Sequence, residues 1–316
     1  MKHSTLFFNI TKKYIVSNGS GSRTMKIQTE CVPCLLKRIL FEAELSSKDK
    51  KLQAKVMKNA CTVMAQLYDP EVCSTYIATQ VHKIAYETLG DNDPYASLKQ
   101  TSNTVALSLI PQVETLIKKS KDPLKTSMIC SIIGNTMDFG IEGGSVHPTQ
   151  LSTVFNKLYK DGLGHDDNPQ VQKILQSARH IVFFTDNCGE IVFDKILCRE
   201  LKRYYPSLHL TLVVKGTPIL SDATMEDVNA LKMQEVVDEV MTTGCFAVGM
   251  NIPRLPAPVK NALRKADLII CKGMANYESF SETSYRPVVY LLRTKCTAIA
   301  RSMGLPLQIN AIKLFQ

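Results

Sequence analysis

The chain has 316 residues, of which 45% are apolar and 21% charged. The length allows about two domains at ~100–200 residues each. These proportions are those of a globular protein and exclude a disordered, fibrous or collagen-like chain. No apolar run reaches the ~18 residues that a membrane helix needs, so no membrane partner is expected. The chain carries 38 basic and 29 acidic residues, a net charge of +9.

Residues 1–24 differ from the rest. They hold Lys2, Lys12, Lys13 and Arg23, no acid, and a Ser/Gly-rich end, SNGSGSRT. That end has the composition of a flexible linker. The segment reads as a disordered extension or an upstream start, with a transit peptide or a functional arm as the other readings. The remaining positive charge is dispersed. Runs such as 48–51 and 118–121 are broken by Asp or Ser and read as solvated helix faces. Nucleic acid is therefore not an expected partner, whereas a polyanionic metabolite suits a mildly basic protein.

Residues 25–165 read as a helical domain. Apolar residues recur at spacings of three and four in 35–45, 51–68 and 102–120, the period of an amphipathic helix. Asp122-Pro123 suits the cap and first position of a further helix running through SMICSIIGNTMDF. No strand is predicted in this half.

The Gly/Asp/Pro cluster at 162–169 marks a change of pattern. Short apolar runs then alternate with helical stretches. HIVFFTD (180–186), LHLTLVV (208–214), DLIICKG (267–273) and VVYLLRT (288–294) predict strands. The segments 189–205, ATMEDVNAL, QEVVDEVM, PAPVKNALRKA and KCTAIARSMG predict helices. Such alternation implies βαβ units, so residues 166–316 are read as a Rossmann-like α/β/α domain with a mostly parallel sheet. The fold class is thus α/β with a helical N-terminal domain.

In such sheets ligands sit beyond the carboxyl ends of the strands. The first predicted strand ends in Asp186 and Asn187, followed by Gly189 and Glu190 at a helix start. The second leads to Asp222. The third ends in Lys272, with Asn276 and Glu278 just after. Each end alone reads equally well as a helix cap or turn. Together they offer hard oxygen ligands for Mg²⁺ or Mn²⁺ and a lysine for a phosphate oxygen. In the helical half, Asn135 and Asp138 are three residues apart, on one helix face. They would cost free energy inside ICSIIGNTMDFGI unless they serve a site.

Ten cysteines are present, and only Cys31 and Cys34 are closely spaced. A long chain with scattered cysteines is not a disulfide framework, which places it in a reducing cytoplasm. The pair itself has three readings: packing, redox control, or half of a metal site completed by residues such as Cys61, Cys73 or His82.

Six strings occur in order: ECVPCLLKR (30–38), GNTMDFG (134–140), TDNCGEIVFD (185–194), GTPILSDAT (216–224), KGMANYES (272–279) and LLRTKCTAIARSMGLP (291–306). In this combination the chain resembles the metal-dependent damage-control phosphatases, also called domain of unknown function 89. The leading ECxxC resembles their stand-alone archaeal and bacterial branch. The resemblance implies hydrolysis of small phosphorylated metabolites with one divalent cation: magnesium, manganese, cobalt or nickel. It carries the metal ligands onto Asp186, Asn187 and Asp222, and a phosphate contact onto Lys272. It places Asn135, Asp138, Glu190, Asn276 and Glu278 around the pocket, and Cys188 where the family often has alanine, beside the metal.

The expected mechanism has Lys272 and the helix start after Gly189 binding phosphate oxygens. Water or the Asp186 carboxylate attacks, and Glu190 or Asp138 transfers the proton. Two other classes stay open: an S-adenosylmethionine-dependent carboxyl methyltransferase, weakened by the lack of a GxGxG loop, and a non-catalytic metal or nucleic-acid binding protein.

Overall fold

A computed structural model of the chain describes residues 25–135, 151–281 and 283–316. The N-terminal extension and Asp138 lie outside the described residues.

Seven strands form one sheet: β1 (His165–Asp166), β2 (His180–Phe184), β3 (His209–Val214), β4 (Glu239–Thr242), β5 (Leu268–Lys272), β6 (Val288–Arg293) and β7 (Asn310–Phe315). Their order is β1-β7-β6-β5-β2-β3-β4. All pairings are parallel except β6 with β7, where Val289 faces Leu314. The sheet is mixed and mostly parallel, as the alternation of patterns implies.

The central strands are apolar on both faces because helices cover both. Ile181 and Phe183 of β2 point to one side, where they join residues of α6 (Pro123–Gly134), α8 (Asn168–Leu175) and α9 (Glu190–Tyr204). Val182 and Phe184 point to the other, where they meet α11 (Ala257–Lys265), α12 (Gly273–Phe280) and α13 (Thr297–Met303). The period-two alternation of a strand thus divides one sequence between two cores.

The helical half contains α1 (Cys31–Ser46), α2 (Lys50–Leu67), α3 (Ser74–Leu89), α4 (Ala96–Ser108), α5 (Ile110–Lys119) and α6, with α7 (Leu151–Asp161) beyond the undescribed stretch. Helices α1 to α3 share a core built on Ile39, Val56, Met64, Ile77 and Val81. Helix α6 instead carries Leu124, Met128 and Ile132 into the sheet's own core. Asp122 caps α6 by accepting from the Lys125 N–H at 2.9 Å, with Pro123 in the first turn, as the dipeptide suggests.

Three expectations need correction. Residues 102–120 are not one helix: the chain breaks between α4 and α5 at Leu109, and Pro111, which lacks an N–H, sits in the first turn of the second helix. QEVVDEVM is not helical. After α10 (Met225–Ala230) the chain forms a 3₁₀ turn, Met233–Glu235, and then edge strand β4, where β-branched residues fit the pleat. The α-helix expected to run through Phe139 ends at Gly134, with Asn135 as its cap, and residues 136–139 lie outside the described residues.

Candidate functional site

The loops after β2 and β3 are zipped together by backbone. Cys188 N–H donates to Ser221 O at 2.7 Å, Ala223 N–H to Asp186 O at 2.8 Å, and Asn187 and Asp222 form an antiparallel bridge. This lattice brings Asp186, Asn187 and Asp222 to one cavity of about 250 Å³. All three are nearly sealed, at 7%, 3% and 4% exposure. The loops after two strands converge here, and the carboxamide between two carboxylates is a set of hard oxygen donors.

Each of the three is held by a neighbour. Asp186 Oδ2 accepts from Asn187 Nδ2 at 2.8 Å and from Asn135 Nδ2 at 3.0 Å. Ser221 Oγ donates to Asn187 Oδ1 at 2.7 Å. Lys215 Nζ stands 3.1 Å from Asp222 Oδ2 and also donates to Gly249 O. The Asp186 carboxylate occupies the space over Gly273, where a Cβ would lie 1.8 Å from Oδ2. Gly273 starts α12 with φ +72°, so glycine serves both the backbone conformation and the close approach.

Asn135 reaches this point because α6 packs tightly on α9. A Cβ on Gly134 would lie 2.6 Å from the Phe193 ring and 3.0 Å from Glu190 Cα. Asn135 is 2% exposed and lines the cavity. It meets the sheet at Asp186, through the Nδ2 hydrogen bond.

Lys272 is placed differently from the expectation. Its side chain is fully buried, paired with Glu190 and with Asp194 Oδ1 at 2.8 Å, and it donates to Ser131 O at 3.1 Å. It does not line the cavity. Burial works against its charge, but Asp194 and Glu190 outweigh that and raise its pKa. Burial also lifts the Asp194 carboxyl to about 6, against the pull of Lys272.

Glu190, expected to transfer a proton, is likewise behind the wall. Its Oε2 accepts from Asn135 Nδ2 at 3.0 Å and from Asn187 N at 3.3 Å. Asn276 ties α12 to β2, donating to Thr185 O at 2.9 Å and Lys272 O at 2.7 Å. The N–H of Gly189 is taken by Asn103 Oδ1 at 2.6 Å. The helix start after Gly189 thus faces protein, not the cavity. The Cys188 thiol turns away too, toward Asp227 Oδ1 at 3.2 Å.

The lysine on the cavity wall is Lys295, which donates to Asn135 O. It follows β6, the fourth predicted strand, so the strand-end rule applied once more would have pointed to it. Glu30, Arg38 of α1 and Glu278 of α12, which accepts from Ser74 Oγ, also carry charge on the wall.

Cys31, Cys34 and Cys296 line the same cavity, as does His82, 2.8 Å from Glu42. Cys61 and Cys73 do not line it. Among the described residues no group of three or more His, Cys, Asp or Glu is arranged to hold a metal, so the expected zinc option for Cys31 and Cys34 has no set of partners there. Burial pushes the Cys31 thiol up to about 11, which leaves little thiolate for redox chemistry. All ten cysteines are free.

Residues 27–308 match the profile of the damage-control phosphatase ARMT1-like domain. The chain belongs to that family. A damage-control phosphatase of Archaeoglobus fulgidus is 38% identical over 280 residues, spanning 89% of this chain and 96% of the relative. A damage-control phosphatase of Pyrococcus horikoshii is 29% identical over 282 residues, with the same shares. The crystal structure of a domain-of-unknown-function-89 protein from Pyrococcus horikoshii superposes with TM-score 0.83 at 28% identity, over 92% of this chain and all of that one. Within this damage-control phosphatase domain the matched region takes in both zipped loops, Asn135, Lys295 and the cysteine-bearing start of α1. No helix among the described residues is long and apolar enough to cross a membrane.

Proposed function

We propose that this chain is a phosphatase that hydrolyses phosphate monoesters of small metabolites with one divalent cation. The observation that carries the reading is the convergence of Asp186, Asn187 and Asp222 on one cavity that also presents Lys295 and Arg38. Two carboxylates and an amide oxygen suit magnesium or manganese, which take few protein ligands beside substrate and water. Cobalt and nickel are the further cations to test. A cation held there would withdraw charge from a phosphoryl oxygen.

The chain's own groups do the rest. Asn135 and Asn187 fix the Asp186 carboxylate from one side. Lys215 fixes Asp222. Lys295 and Arg38 supply positive charge for the remaining phosphate oxygens, the arginine in a planar fork matched to phosphate. The near-complete burial of the oxygen donors excludes bulk water and strengthens each electrostatic contact. Glu190 and Lys272 position Asn135 and Asn187 and do not touch substrate. The free thiols fit a reducing cytoplasm.

The test is hydrolysis of p-nitrophenyl phosphate by metal-stripped protein refilled with Mg²⁺, Mn²⁺, Co²⁺ or Ni²⁺. Metal-restored turnover that disappears in a folded Asp222→Ala protein is the expected result. Full activity of that variant, or activity restored by S-adenosylmethionine and not by metal, would overturn the reading.

A further inference from the structure

A second cavity, of about 500 Å³, lies behind α3 and α12, separated from the first by Val248, which lines both. Small-molecule sites commonly fall at ~300–1,000 Å³. The mechanism proposed above uses none of the residues peculiar to this cavity. Its wall carries Tyr76, Asn251, Arg264, Ser279, Ser284 and Tyr285.

Three features of this wall point to a ligand. First, it is preformed: the segment around Val248 is pinned by Thr79 Oγ1, which accepts from Val248 N–H at 3.0 Å, and by Ser279 Oγ, which accepts from Met250 N–H at 2.8 Å. Second, its described charge is a single arginine. Among the described lining residues Arg264, exposed at the rim, is the only charged side chain. The guanidinium donates to Asn261 on its own helix, at 2.6 Å, which leaves most of its N–H groups for an anion. Third, Asn251 Oδ1 is buried without a hydrogen-bond partner. Such orphans are uncommon in native proteins, and a ligand donor would satisfy it.

We propose that this cavity is a binding site for a small amphipathic anion: a flat apolar body between Tyr76 and Tyr285, with a carboxylate or other oxyanion on Arg264 and an N–H or O–H donor for Asn251 Oδ1. Aromatic side chains give such a body a large, rigid contact at low entropic cost. The site is separate from the phosphate-binding cavity, so it stands whether or not the phosphatase reading does.

The experiment uses the full chain and 8-anilinonaphthalene-1-sulfonate, an aromatic sulfonate, followed by its fluorescence. Saturable one-to-one binding is expected, weakened about tenfold by Arg264→Gln, since a lost charge-assisted contact of ~1.4 kcal/mol is one decade. Ser284→Trp, at an exposed lining position, should fill the cavity and remove binding. Saturating inorganic phosphate should leave the dye in place. Equal urea midpoints establish that both variants are folded; if Ser284→Trp is not, Arg264→Gln decides alone. No saturable binding to the folded wild type overturns the site. So does binding that Arg264→Gln leaves unchanged, or a dye that phosphate displaces from wild type and variant alike.

Discussion

Lys272 Nζ lies 2.8 Å from Asp194 Oδ1, and neither side chain has any exposed surface. With Glu190 on the other side of the ammonium, the group is a buried cation between two carboxylates. Removing one partner of such a cluster leaves uncompensated charge in a poorly solvated place. Lys272→Met should therefore destabilise the fold by about 3–5 kcal/mol, read as a fall in urea midpoint at constant m. A stable Lys272→Met protein whose only defect is a raised KM would return Lys272 to the phosphate.

Asp194 gives the protein an unusual pH response. Its carboxyl titrates near the ordinary ~3.9 in the unfolded chain and at about 6 in the native one. Between these values the native state holds the extra proton, so stability falls as pH rises from about 4 to about 6 and is then level with respect to this group. Chemical unfolding across that range should show the decline, and Asp194→Asn should flatten it. An unchanged slope in Asp194→Asn would assign the decline to another group.

Gly273→Ala tests the contact with Asp186. A Cβ 1.8 Å from Oδ2 must displace the carboxylate, and the positive φ adds about 1–2 kcal/mol of backbone strain. A shift of ~1 Å in a reacting or ligating group costs about 100-fold in rate. Metal-dependent turnover should drop by that order while the protein stays folded. Metal affinity measured by calorimetry should weaken with it. Wild-type turnover would show that the carboxylate has room to move.

Lys295→Ala should raise KM for a phosphate ester about tenfold or more, since hydrogen bonds to charged groups contribute ~1.5–3 kcal/mol. Lys295→Arg should recover part of the loss, because the positive charge is kept. Equal KM in wild type and Lys295→Ala would exclude the contact.

Much of this architecture is legible from residue patterns, for identifiable reasons. Strands β2, β3, β5 and β6 are apolar on both faces, and such runs bounded by turn residues have few other readings. β4 escapes because EVMT is short and mostly half-exposed and the Val and Glu of QEVVDEVM also fit a helix; β7 escapes because NAIKLF carries an Asn and a Lys and its second half is half-exposed. The strand-end rule finds Asp186, Asn187 and Asp222 because topology alone sets where strands end. It fails to separate Lys272 from Lys295. Lys272 ends β5 and Lys295 follows β6, and only three-dimensional packing shows that one is caught between Glu190 and Asp194 while the other reaches the cavity. Asn103 and Ser221, which hold Gly189 and Asn187, carry no local signal: an amide in a helix and a serine in a loop are commonplace until their partners, 86 and 34 residues away, are known.

The position of β7 has a consequence for synthesis on the ribosome. It lies between β6 and β1, with Ala311 opposite both Leu292 and His165. Every other described strand emerges from the ribosome before it. Until residues 310–315 arrive, β6 therefore presents an open edge of unpaired N–H and C=O groups beside an apolar face, a template for pairing with another chain. A released chain that ends at residue 309 should therefore aggregate or depend on chaperones, and one that carries residues 310–315 should not.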